Sequence, residues 1–196
     1  TTEWFQSDGS VFAAQDGSDT GFIAANFNNT DGGSDGASGT ISNWLVTPLI
    51  TFDASSSLAF YTRSTIGSDG TSVYPDRLEV RLCTGMPCTD VGSVSSDTGQ
   101  FTTLLKSINP DLGTADDPTG VLGYPLSDWA LFTLDTGSGL PGSGQGRLAF
   151  RYFVTGAGPQ GVNSNYIGID TVEIHAGAIS AGNGMAGSHG ISASNP

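Results

Sequence analysis

Apolar positions along the chain come in short runs, many of them alternating with polar ones, and Gly, Asp, Ser, Asn and Pro separate each run from the next. That pattern predicts an antiparallel all-β domain. Strands are expected around 4–5, 11–14, 22–27, 44–46, 49–52, 58–63, 77–83, 103–108, 129–134, 147–155 and 166–175, about ten in all. No segment sustains a 3.6-residue apolar stripe, so any helix is expected to be a single turn.

Three strands carry a clear period of two. Leu78, Val80 and Leu82 alternate with Arg77, Glu79 and Arg81, which predicts one buried face and one wet face of alternating charge. Leu148, Phe150, Tyr152 and Val154 form a second inward row, and Leu58, Phe60 and Thr62 a third. Two stacked sheets would bury these rows against one another, giving an antiparallel two-sheet β-sandwich. In the last strand the parity breaks, because Ile167 and Ile169 share a face while Val172 and Ile174 keep the other register. A bulge near Asp170 and Thr171 would reconcile them and re-aim the Asp170 carboxylate.

Composition narrows the class. The chain has 196 residues, the size of one domain with a real core. Its 16 Asp against 3 Glu, 29 Gly and the single Lys106 favour turns over helices and exclude an all-α fold. A net charge of -13 makes nucleic acid and anionic membrane surfaces poor partners and divalent cations better ones. No run approaches the ~18 apolar residues that span a bilayer, and Thr1 does not open a secretory leader. The chain is therefore expected to start and end as a mature or trimmed product.

Calcium takes six to eight hard oxygen ligands, and Gly-containing loops rich in Asp and Asn supply them. Asp16, Asp19, Asp53 and Asp170 are the first candidates, with Asp31 and Asp35 behind them; the competing reading is that these Asp simply cap turns. Cys83 and Cys88 flank a Gly- and Pro-containing turn that can bring them together as a small disulfide. The alternatives are a reduced pair in a surface loop or half of a metal shell. A disulfide would place the protein outside the reducing cytosol.

Catalytic patterns are weak. Gly32 to Gly36 matches G-x-S-x-G, but both flanks of Ser34 are loop where a nucleophile elbow needs a strand and a helix. His175 and His189 read as surface residues, and with 16 Asp any pair of carboxylates arises by coincidence. Trp4, Trp44 and Trp129 neighbour apolar strand residues and read as packing; a carbohydrate platform would need them exposed. Residues 177–196 contain 13 Gly, Ala or Ser among 20, so they are separated from a 1–176 domain as a tail expected to dock on the domain or on a neighbouring subunit.

Taken together, the segments 43–50, 58–63, 76–82, 101–105, 124–129, 147–154 and the closing Tyr166-Ile-Gly-Ile-Asp-Thr-Val-Glu-Ile174 resemble the bacterial choice-of-anchor J family. That family is related to the cleaved-adhesin domains of gingipain-type proteins and, more distantly, to MAM-type jelly rolls. The resemblance runs in order over nearly all of residues 1–176. It implies a secreted or surface-displayed jelly-roll sandwich, often with bound calcium, in proteins that end in a surface-sorting signal. Asp170 matches the acidic position of the family's last strand. No sorting signal is read in these residues, so one is expected to have been processed off or to lie outside this chain, and the Gly/Ala/Ser tail departs from the short ending of the family.

The expectation is a non-enzymatic extracellular or cell-surface structural or adhesive protein, stabilised by calcium (Ca2+) and able to assemble into fibres or a matrix. Its partners would be further copies of itself, another surface protein or a glycan, with no nucleic acid and no membrane insertion. The alternative is a carbohydrate-binding module that uses exposed aromatics and calcium-ordered loops.

Overall fold

The computed structural model describes residues 3–30, 38–179 and 191–192. Among these described residues fourteen strands follow in chain order: β1 (Phe5–Gln6), β2 (Ile23–Asn26), β3 (Gly39–Val46), β4 (Ile50–Phe52), β5 (Ser57–Arg63), β6 (Leu78–Cys83) and β7 (Thr103–Ile108), then β8 (Ala115–Asp116), β9 (Gly123–Tyr124), β10 (Ala130–Asp135), β11 (Gly144–Ala157), β12 (Tyr166–His175), β13 (Ala178–Ile179) and β14 (Ile191–Ser192). One sheet runs β1-β2-β12-β5-β10, with β14 also on β12; the other runs β13-β4-β11-β6-β7, with β3 also on β11. All pairs in these two sheets are antiparallel except β12 with β14. The result is the expected all-β, two-sheet sandwich, consistent with a jelly-roll arrangement.

The period-two rows form the core between the sheets. Leu58 and Phe60 from β5, Leu78, Val80 and Leu82 from β6, and Leu148, Phe150, Tyr152 and Val154 from β11 all sit in one buried cluster. Phe60 meets Phe150 edge-on at 4.9 Å across the sheets and stacks on Phe132 at 5.7 Å within its own. Burial of each such side chain contributes on the order of 2 kcal/mol.

The two long strands β11 and β12 share a construction. Along one edge of β11, β3 covers Ala149 to Ala157 and β4 covers Gly144 to Gly146, end to end. Along one edge of β12, β2 covers Tyr166 to Ile169, and β14 follows at Val172 and Glu173. Ala178 and Ile179 pair with Thr51 and Ile50 of β4. The tail thus adds a short strand to each sheet.

The second face of β6 is not wet. Glu79 is 6% exposed and ion-paired to Arg81 at 2.6 Å and to Arg151 at 3.1 Å. The Arg151 guanidinium, itself 1% exposed, lies 3.8 Å over the Phe153 ring and 5.0 Å from Trp44, and donates to the Ser95 carbonyl at 2.6 Å. The segment following β6 covers this face. A disulfide between Cys83 and Cys88 anchors it, packed with Val46, Phe101 and Ala149.

The strand expected at 11–14 is absent, since Phe12 packs into an aromatic cluster on the outer face of the β2–β12 sheet with Phe22 and Tyr166. Backbone lying across a sheet has no ladder to join. β3 begins five residues earlier than expected, because pairing with β11 overrides the weak strand preference of Gly39, Ser42 and Asn43.

Candidate functional site

The parity of β12 breaks at the expected place. Asp170 opposes Tyr61 of β5 and the ladder resumes with Glu173 opposite Ala59, so two residues face one. Thr171 takes φ 47° at this bulge, and Ile167, Ile169, Val172 and Ile174 all reach the inter-sheet core as a result.

Tyr166, Gly168 and Asp170 then share the outer face, and each has a separate task there. Tyr166 meets the Phe12 ring edge-on at 5.3 Å. Gly168 leaves room for two more rings: a Cβ at this position would stand 2.6 Å from Trp129 and 2.9 Å from Phe22. Asp170, 7% exposed, accepts from the Gln15 backbone N–H at 2.7 Å and from that of Asp16 at 3.4 Å, while its other oxygen accepts from the Thr171 N–H at 2.6 Å. The Thr171 hydroxyl donates to the Gln15 side-chain carbonyl at 2.8 Å, and the Trp129 indole N–H donates to the Ala13 carbonyl at 3.0 Å. The re-aimed carboxylate therefore ties residues 15 and 16 onto β12, while Trp129 holds Ala13.

The structure brings Asp16 to Asp170 through its backbone, and Asp16 and Asp19 lie exposed on the same loop. Asp53 sits apart at the turn between β4 and β5, where it accepts from the Ser55 N–H at 2.8 Å and hydroxyl at 2.7 Å. Asp31 and Asp35 lie outside the described residues. Among the described residues, no group of three or more His, Cys, Asp or Glu side chains gathers in a way that could hold a metal ion.

Much of the Asp surplus is turn chemistry. Asp69 accepts from the Ser72 hydroxyl and from the Ser72 and Thr71 N–H groups, which pull its pKa down to about 2. Asp117 is held at about 2 in the same way, first by the Leu122 N–H and then by Thr119.

Asp76 is different. It is 1% exposed and accepts from the Tyr152 hydroxyl at 2.5 Å, the Ser64 hydroxyl at 2.5 Å and the Asn165 N–H at 2.9 Å. Burial drives its pKa up to about 6 even though those three hydrogen bonds favour the anion. Nothing in the sequence separated it from the other Asp residues, and being enclosed it serves the fold.

All three tryptophans are half-buried and packed against other rings, in line with their reading as packing residues. Trp4 packs on Tyr152 at 6.3 Å, Trp44 on Phe101 at 5.6 Å, and Trp129 edge-on to Phe12 at 5.4 Å. A concave surface lies elsewhere, at the end of the sandwich where β5 and β11 finish and β12 starts. A cavity of about 680 Å³ there is lined by residues that include Phe5, Asp8, Asn26 and Ile66, and a second of about 380 Å³ includes Tyr74. Phe27, Gly67, Ser68 and Asn165 line both. The sequence offered no signal for this groove, because its residues come from four separate segments.

No protein-family model and no curated protein matches the chain. Among solved structures it is similar to the K3 cleaved adhesin domain of Lys-gingipain from Porphyromonas gingivalis, at 16% identity over 88% of each chain with a TM-score of 0.45.

Proposed function

We propose that this chain is a non-enzymatic extracellular structural or adhesive domain of the choice-of-anchor J kind, which associates with copies of itself through its C-terminal tail. The observation that carries this reading is the placement of that tail. Ile179 pairs with β4 and Ile191 with β12, so each sheet accepts a strand from it. Between the two pairs lie eleven residues, four of them Gly. Extended, that span reaches roughly 40 Å, several times the ~10 Å between stacked sheets. The slack is enough to hand β14 to a neighbouring copy, where the same β12 edge awaits it. The disulfide suits an oxidising exterior. Deleting residues 177–196 is expected to abolish association and leave the domain folded; a truncated chain that associates as the intact one does would refute the reading. With a charge of -13 the copies repel, so association should strengthen with salt.

Calcium stabilisation belongs to the same proposal, with Asp170, Asp16 and Asp19 as the ligand-bearing residues and Asp53 as a separate candidate. Support comes from the Asp170 carboxylate standing against the loop that carries two further exposed Asp. A cation that binds only the folded chain raises its stability by mass action. Addition of a chelator is expected to lower the melting temperature, and added calcium to restore it. An unchanged melting temperature in chelator would remove calcium from the account.

A further inference from the structure

We propose that the groove formed by the two adjoining cavities at the start of β12 is a binding site for a neutral glycan; this rests on the adhesive reading above and names the contact it makes. The cavities, of about 680 Å³ and 380 Å³, fall in the range of small-ligand sites, roughly 300–1,000 Å³. Their lining offers apolar faces on which the C–H side of a sugar ring can rest. Phe5 and Phe27 are half-buried, while Ile66 is 40% and Tyr74 39% exposed.

Three amides stand beside those faces, each tied at one end. Asn26 accepts from the Asn28 N–H at 2.9 Å, Asn165 donates to the Thr65 carbonyl at 2.9 Å, and Gln6 donates to the Thr20 carbonyl at 3.2 Å. The opposite ends, Asn26 Nδ2, Asn165 Oδ1 and Gln6 Oε1, have no partner among the described residues. The lining residues thus carry one amide donor and two amide acceptors left free by the protein, a mixture that suits hydroxyls, which both donate and accept.

Charge selects among glycans. No Lys or Arg lines either cavity, and the Asp8 carboxylate, whose pKa is pulled down by the Ser10 hydroxyl, stands in the larger one as an anion. Sulfated and carboxylated sugars are therefore repelled. A basic peptide is the competing occupant, and its binding would collapse with salt, whereas hydroxyl contacts would not.

The test uses the intact chain on immobilised neutral gluco-, manno-, galacto- and xylo-oligosaccharides, with sulfated counterparts and oligolysine alongside. Binding to at least one neutral series is expected, undiminished at high salt and absent from its sulfated form. Phe27→Ala and, separately, Ile66→Asp should each weaken it by about tenfold or more while the melting curve is kept. The surface change Ile66→Asp keeps the test open should Phe27→Ala fail to fold. No binding to any neutral series, binding to oligolysine alone, or binding untouched by Ile66→Asp would overturn the proposal. Self-association of the same samples is recorded in parallel. Lost glycan binding with intact association condemns only the groove, and the reverse condemns only the tail.

Discussion

Replacing Arg151 with alanine is expected to destabilise the domain by about 3–5 kcal/mol, the cost of breaking a buried ion pair from one side. The guanidinium bonds to Glu79, the Ser42 hydroxyl and the carbonyls of Ser95 and Asp97, and is stacked on Phe153. Its removal leaves Glu79 with Arg81 alone and leaves the segment after β6 without the donor that holds its backbone. For a chain of this length a loss of that size lowers the melting temperature by roughly 6–20 °C. Thermal melts of the variant measure it directly. A single variant within about 1 kcal/mol of the parent would show that the face is not held by this network.

Acidification from above pH 6 towards pH 4 should stabilise the protein through Asp76. Its folded pKa, about 6, is raised above the ordinary 3.8, so the folded chain holds this proton more tightly than the unfolded one. The resulting stability is complete below the unfolded value and is lost as pH rises through the folded one. A shift of this size on a fully enclosed group corresponds to the order of 2–3 kcal/mol. Below pH 4 the trend reverses, since Asp69 and Asp117 have depressed values and their turn-capping contributions vanish as they protonate towards pH 2. Asp76→Asn removes the charge while an amide oxygen still receives Tyr152 and the Asn165 N–H, and the amide N–H₂ donates to Ser64. Chemical denaturation across this window should show the variant more stable than the parent at neutral pH and flat between pH 6 and pH 4. A parent profile without a rise on acidification would mean that Asp76 is charged at no cost.

The contrast between these sites shows what a linear pattern can carry. The bulge in β12 was legible because apolar residues on both sides of it must reach one core, and their spacing is off by one. The same strand's Tyr-Ile-Gly-Ile-Asp run turns out to be a packing instruction, with Gly168 set between two ring-bearing partners and Asp170 turned onto the loop at Gln15. The charged row of β6 was not legible as a buried face, because alternation separates two faces without telling whether a loop covers the outer one. Asp76 was hidden for a related reason: burial belongs to the fold, and a carboxylate before a strand looks the same whether it faces water or Tyr152. The groove residues Phe5, Asn26, Phe27 and Asn165 converge only once β1, β2 and β12 are paired.

Self-association through the tail is tested most directly by sedimentation velocity of the intact chain and of the chain ending at residue 176, each followed over rising concentration at low and high salt and imaged by electron microscopy. The intact chain is predicted to form assemblies that grow with concentration and with salt, while the shortened chain stays monomeric with an unchanged circular dichroism spectrum. An intact chain that remains monomeric under every condition, or a shortened chain that assembles equally well, would contradict it.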